Sequence, residues 1–284
     1  MKLGVITTPW AIAHGLSLPE TFARIAAMGF QYVDISEILY HDSLASSEAQ
    51  RQEVADALQP HGLTVACVVL WPPNVASPDK AEQKCCFEYV RFGIDFAARL
   101  GAHRVLFNAG QRVIGLDHQQ AWQNSVSFMR RCADYALEKD IRILVESEPY
   151  VYYLVNDLAT SAQMVREVDR PNFLTVVDLG HMSLSRESAA ALADAAPIID
   201  HIHITDNDGL LHANNIIGSG TTPVAEYLAA INDSPAASYC AARNDELVAV
   251  MELGVTGDTI DSAERWVRES VAHMQEITPF LSLD

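Results

Sequence analysis

The sequence predicts an α/β fold, a single (β/α)8 barrel that takes up residues 1–284 as one domain. Three observations lead there. Short β-branched runs alternate with amphipathic stretches, eight of each, from one end of the chain to the other. No long polar linker marks a boundary between halves. The 284 residues are enough for one barrel of about 250 residues with its loops. Right-handed βα units can form an open sheet, but eight is the number at which closure fills the interior with side chains.

The first strand is read at Leu3–Thr8 and the first helix at Pro19–Met28, where Ser17 offers a capping hydroxyl, Pro19 suits the first turn and Gly29 ends it. Strand two, Gln31–Ser36, leads to a helix over Ser47–Gln59 that stops before Gly62. Strands three and four, Leu63–Leu70 and Arg104–Asn108, flank a long helix at Lys80–Leu100 with Gly101 behind it. A helix over His118–Lys139 precedes strand five at Arg142–Glu146. Asp157–Val168 then leads to strand six at Leu174–Asp178, and Arg186–Ala193 to strand seven at Asp200–Thr205. A helix at Pro223–Ile231, capped by Thr222, strand eight at Leu247–Glu252 and a helix at Ile260–Glu276 complete the pattern.

Composition narrows the function. Hydrophobic residues at 49% and charged residues at 20% describe an ordinary globular core. A net charge of -18 repels phosphate backbones and anionic lipid, so neither nucleic acid nor a membrane is an expected partner. The longest apolar stretch, Val65 to Trp71, is far short of the roughly 20 residues that cross a bilayer. The opening MKLGVITTPW reaches Thr7, Thr8 and Pro9 too soon for the apolar region of a signal peptide, so a cytoplasmic protein is expected. Cys67, Cys85, Cys86, Cys132 and Cys240 form no CxxC pair and are read as buried free thiols.

Strand parity selects the candidate site. Ile143 and Val145 suit the helix layer, which leaves Leu144 and Glu146 facing the barrel interior. The same alternation groups Val176 with Asp178, and Val250 with Glu252. In strand seven it turns His201, His203 and Thr205 inward. Barrel enzymes work at the carboxyl ends of their strands, and Glu146, Asp178, His203 and Glu252 stand there on strands five to eight. Singly, each acid could cap a helix or pair with an arginine. Together they would repel one another unless a cation compensates, so one divalent metal is expected on these four. Three carboxylates and an imidazole suit Mn²⁺ best, with Mg²⁺, Co²⁺, Zn²⁺ or Fe²⁺ as alternatives. His201, deeper in the barrel, is read as a hydrogen-bonded core residue.

The segments ILVESEP (143–149), VVDLGH (176–181), HIHITDNDG (201–209) with GSG (218–220), and VAVMELG (248–254) resemble the sugar phosphate isomerase/epimerase family of xylose isomerase-like TIM barrels over nearly the whole chain. The resemblance implies that Glu146, Asp178, His203 and Glu252 hold one divalent metal. It also implies that Glu146 and Glu252 move protons and that His181 touches the substrate. It extends to endonuclease IV, a trinuclear zinc enzyme of DNA repair. That enzyme has histidines after strands three and four, where this chain has Trp71 and Asn108, and an Asp-x-His pair where this chain reads His212-Ala213-Asn214. These departures favour one metal over three and argue against DNA cleavage.

One hard cation can chelate a ketone oxygen and its neighbouring hydroxyl, making the α-proton acidic enough for a carboxylate. Glu146 and Glu252, on nonadjacent strands, could then serve opposite faces of that carbon. Return of the proton to the far face gives epimerisation, return to the next carbon gives isomerisation, and loss of a β-hydroxyl gives dehydration of the inosose or 3-dehydroshikimate type. The sequence expectation is a metal-dependent ketose epimerase or isomerase. The rivals are the dehydratase and a noncatalytic barrel that binds a carbohydrate or a partner.

His181, Glu148, Asn108 and Trp71 are the candidates for substrate contact. Glu148 and Asp206 could instead orient ligands, and Trp10, Trp71 and Tyr150 could wall a sugar face. Lys2, Lys80, Lys84 and Lys139 fall at strand beginnings or on helices, so no Schiff-base lysine is expected at the mouth. Gly218-Ser219-Gly220 could cradle a phosphate on its amides, but no basic side chain accompanies it, and a tight entry turn is preferred. The expected partner is therefore an unphosphorylated sugar or polyol ketone, and association into a homo-oligomer is left open.

Overall fold

A computed structural model describes residues 1–10, 16–36, 48–254 and 259–283. Eight strands close into a barrel in which sequence neighbours pair and β8 returns to β1. They are β1 (Lys2–Ile6), β2 (Tyr32–Ser36), β3 (Thr64–Val69), β4 (Arg104–Asn108), β5 (Arg142–Glu146), β6 (Phe173–Asp178), β7 (Ile199–Ile204) and β8 (Val248–Met251). Every pairing is parallel. The described helices are α1 (Leu18–Ala27), α2 (Glu48–Leu58), α3 (Lys80–Leu100), α4 (His118–Leu137), α5 (Leu158–Val168), α6 (Leu179–Leu184), α7 (Ala191–Ala195), α8 (Val224–Asp233), α9 (Ala236–Ala241) and α10 (Ile260–Ile277). None is long and apolar enough to cross a membrane.

Of the two expected caps, Ser17 operates, whereas Thr222 does not: α8 starts after Pro223 with no side-chain cap, and the Thr222 hydroxyl is buried without a hydrogen-bond partner among the described residues. Ser17 and Glu20 form a reciprocal capping box on α1, Asp79 caps α3, and Asp157 caps α5. Two cores result from strand parity. Leu106, Leu144, Leu174, Val176, Val248 and Val250 fill the barrel interior. Ile143, Val145, Val177, Ile202, Ile204 and Met251 face the helices. At the amino-terminal end of the barrel the buried Arg104 and Arg142 converge on Asp200, at 3.0 Å and 2.6 Å, and both pair with Asp245. This network closes the end opposite the polar mouth and satisfies charges that would be costly alone.

Three expectations need correction. The helix read at Arg186–Ala193 is replaced by α6 and α7. The Asp178 carboxylate caps α6 at once by accepting the His181 N–H at 2.7 Å, and Arg186 then adopts a left-handed φ of 58° that breaks the helix. Strand one ends at Ile6, before Thr8. Cys85 is exposed on α3, whereas the other four thiols are buried, and all five are free. Ser47, the expected first residue of the second helix, lies outside the described residues.

Candidate active site

The barrel brings Glu146, Asp178, His203 and Glu252 to one point, with one ligand-type atom from each within 4.8 Å of the others. All four are buried. Glu146 and Asp178 are the last residues of β5 and β6, His203 is the penultimate residue of β7, and Glu252 follows β8. His203 Nδ1 lies 3.2 Å from Glu146 Oε1 and 2.8 Å from Glu252 Oε2. Asp178 Oδ1 accepts the Thr205 hydroxyl at 2.6 Å, and Asp178 Oδ2 is buried without a hydrogen-bond partner among the described residues. An orphaned carboxylate oxygen among acids and an imidazole is what a cation-binding group needs, so the residues fit a divalent metal.

Sequence reasoning missed Asp34, which supports this group from β2. It is fully buried, and its Oδ2 accepts from His201 Nε2 at 2.7 Å and His203 Nε2 at 3.0 Å. Burial alone would raise its pKa, but the two imidazoles hold it down at about 2. Burial opposes the charged form of His203, yet Glu252, Asp34 and Glu146 outweigh it and hold its pKa well above the ordinary histidine value. Burial likewise works against ionised Glu252, but His203 pulls its pKa down. His201 is the core residue expected, with burial pulling its pKa down against the attraction of Asp34. The available signal for Asp34 was a lone acid between Val33 and Ile35, on the parity that faces His201.

Beside the four stands a second group, Glu148, His181 and His212, again with ligand-type atoms within 4.8 Å. Glu148 is 3% exposed, so it is no solvated loop acid, and burial pushes its carboxyl up to about 7. Burial disfavours the charged His181, but Asp178, Glu146, Glu148 and Glu252 overcome that and raise its pKa to about 9. His181 Nδ1 donates to the Ser147 carbonyl at 2.7 Å, and its Nε2 is 2.8 Å from His212 Nε2. Sequence reasoning treated His212 only as a departure from endonuclease IV. Nothing in its spacing shows that the loop after β7 folds back over the mouth.

The remaining candidates divide. Asn108 is in register with Glu146, is half-buried, and accepts the Gly110 N–H at 3.0 Å through Oδ1. Trp71, half-buried just past β3, packs on the inner core. Trp10 is fully buried in the outer core with its indole N–H on Glu264, so it walls no sugar. Tyr150 stacks on Tyr152 at 5.5 Å in the loop after β5. The Gly218-Ser219-Gly220 cradle already holds an anion of the chain itself. Asp206 Oδ2 accepts the N–H groups of Gly218 and Gly220, each at 2.9 Å, and Oδ1 accepts those of Asn207 and Thr222 at 2.8 Å and 3.1 Å.

A closed parallel barrel with its ionisable groups gathered past the carboxyl ends of strands five to eight defines a protein of the kind that works at that mouth. The chain belongs to the xylose isomerase-like TIM barrel family, whose model matches residues 22–277. It is 21% identical over 243 residues to the D-psicose 3-epimerase of Agrobacterium fabrum (strain C58), covering 82% of this chain and 81% of that protein. It is 26% identical over 221 residues to the L-ribulose 3-epimerase of Methylomonas sp. (strain DH-1), covering 75% and 73%. Its fold is similar to that of D-psicose 3-epimerase with D-tagatose from Clostridium cellulolyticum H10, at TM-score 0.79, 19% identity and 98% and 99% coverage. The IOLI protein with a binding zinc atom superposes at TM-score 0.79 with 18% identity over 98% of each chain.

Proposed function

We propose that the chain is a divalent-metal-dependent epimerase of a free ketose or related polyol ketone, acting by proton transfer through an enediolate. It is an enzyme of the sugar isomerase/epimerase kind, in keeping with its 3-epimerase relatives. One observation carries the reading: Glu146 and Glu252 reach the same nitrogen of His203 from β5 and from beyond β8, strands that do not adjoin. Two carboxylates so placed can address opposite faces of one substrate carbon.

Glu146, Asp178, His203 and Glu252 would hold the metal, and their oxygen-rich set with one imidazole favours Mn²⁺. When bound, such an ion polarises a ketone and stabilises the negative charge that develops on its oxygen. Glu146 or Glu252 removes the proton α to the carbonyl, and the other returns a proton to the opposite face. His181, its Nδ1 tied to Ser147, orients a substrate hydroxyl through Nε2, with Glu148, Asn108 and Trp71 bounding the same space. The 3-epimerase relatives point to carbon three as the inverted centre. Asp206 fills the amide cradle of Gly218 and Gly220, which favours a substrate without phosphate. A cytoplasmic location is part of the reading, since all five thiols are free.

The test is solvent exchange. Incubated in heavy water with Mn²⁺ and a panel of free ketoses, the protein should place deuterium at carbon three of at least one sugar and yield its epimer. Absence of label across the panel would overturn the reading, and loss of water from an inosose or dehydroshikimate would replace it with a dehydratase.

A further inference from the structure

The chain carries 37 acidic and 19 basic side chains, yet one cavity in its helical layer is basic. It lies between α2, α3 and the end of α4 and measures about 730 Å³. Arg51, Arg91, Arg99 and Lys139 line it, and Asp95 is the one carboxylate among the described lining residues. Arg99 stands shortly before β4 and Lys139 shortly before β5, so these two cations belong to the end of the barrel away from Glu146 and Glu252.

The walls of the cavity hold its cations in place. Lys139 Nζ is 3.0 Å from Asp95 Oδ1, which also accepts the Tyr135 hydroxyl at 2.8 Å. Arg91 Nη2 donates to Glu88 at 2.8 Å, and Arg99 Nη1 donates to Gln52 at 2.8 Å. The Arg51 and Arg91 guanidinium carbons lie over the same Phe92 ring, 5.9 Å and 5.2 Å from its centre. Phe92 is 38% exposed, so its ring serves as a platform for two guanidiniums rather than as core packing. Arg91 has five N–H donors and Lys139 three, more than these contacts engage.

We propose that the cavity between α2, α3 and α4 binds a small ligand carrying two phosphate groups, at a site separate from that of the substrate. Cations gathered in a cleft focus their field on an incoming anion. Three guanidinium forks match phosphate oxygens two at a time, and the Lys139 ammonium adds a point charge. Four cations against one carboxylate leave the described lining with an excess of three positive charges, which two phosphate groups at about -1.5 to -2 each offset. A single carboxylate or phosphate falls short of that balance. The volume is that of a small-molecule pocket, for which about 300–1,000 Å³ is usual. The net charge of -18 repels a long polyanion, whose phosphates would run past the cavity, so the ligand is compact. The site stands or falls independently of the reaction at the mouth.

The probe is inorganic pyrophosphate, titrated calorimetrically into the wild-type protein, Arg99→Gln and Lys139→Gln, with circular dichroism to confirm folding. The wild type should bind it saturably, one per chain, and more weakly as salt is raised. Each variant should bind about tenfold more weakly, the effect of losing one charge-assisted contact. Inorganic phosphate should bind the wild type about tenfold more weakly than pyrophosphate, since it engages fewer of the cations. Absence of saturable pyrophosphate binding overturns the proposal. Undiminished affinity in both variants also overturns it, because the anion then sits elsewhere, such as on a metal at the mouth. Equal affinity for phosphate and pyrophosphate overturns the assignment of two groups. Should Lys139→Gln not fold once Asp95 loses its partner, the exposed Arg99→Gln decides alone.

Discussion

Asp34 Oδ2 and His203 Nε2 lie 3.0 Å apart in the floor of the mouth, and both side chains are fully buried. The carboxylate can only accept at this ionisation, so Nε2 carries the proton and Nδ1 is the nitrogen turned toward Glu146 and Glu252. Asp34 therefore fixes which nitrogen of His203 is available to a metal. His201 holds the same oxygen at 2.7 Å, which keeps the carboxylate in place.

Asp34→Asn is expected to weaken divalent-metal binding by about 10- to 100-fold, the usual penalty for losing the carboxylate behind a ligating histidine. Isothermal titration of the metal-free variant with Mn²⁺ measures this, and an affinity equal to that of the wild type contradicts the role.

Glu146→Gln and Glu252→Gln should each slow deuterium uptake into the ketose by about 10²- to 10⁴-fold, the range expected for loss of a general base. Without metal, Glu252→Gln should unfold below the wild-type temperature, because the depressed pKa of Glu252 and the raised pKa of His203 mean that their ion pair stabilises the folded chain. Exchange at the wild-type rate in either variant would strip that glutamate of its proton-transfer role.

These groups differ in how plainly the sequence announces them. Glu146 is legible because Ile143 and Val145 must face the helices, and alternation then leaves Leu144 and Glu146 inside. The barrel follows from the same runs, since each strand is short, β-branched and followed by an amphipathic stretch. Asp34 is harder, because a single acid within an apolar strand acquires meaning only when closure sets β2 across from β7. His212 is harder still. It sits in a long loop with no periodicity, and its neighbour His181 becomes a partner only through tertiary folding. The α6 helix escaped for a local reason, since the side chain of Asp178 is both a site carboxylate and the cap that starts the helix.

Asp206 ties the loop after β7 to the amides of Asn207, Gly218, Gly220 and Thr222 while being 1% exposed. Asp206→Ala leaves several buried donors without an acceptor, at about 1–3 kcal/mol each, so a loss of about 3 kcal/mol or more is expected in urea unfolding. Gly220→Ala should harm the same turn, because a Cβ there would stand 2.2 Å from the Asn207 carbonyl oxygen. Wild-type stability in Asp206→Ala would show that these bonds are replaced by water at no cost.

Glu187, between α6 and α7, supplies a pH dependence that is independent of the mouth. Burial pushes its carboxyl up to about 7, against the Leu158 N–H that donates to it at 2.9 Å, and Oε1 has no partner among the described residues. The unfolded chain releases this proton near its ordinary value of 4.5, whereas the folded chain retains it to about 7. Folded protein therefore binds the proton more tightly, and its stability falls as pH rises through that window and stays reduced above it. Glu187→Gln keeps an oxygen for Leu158 and removes the charge. Its melting temperature should exceed that of the wild type at pH 8, with a gap that narrows steadily as the pH is lowered to 5. Calorimetry across that range checks the sign, and a gap that does not change with pH would mean that ionisation of Glu187 is not its source.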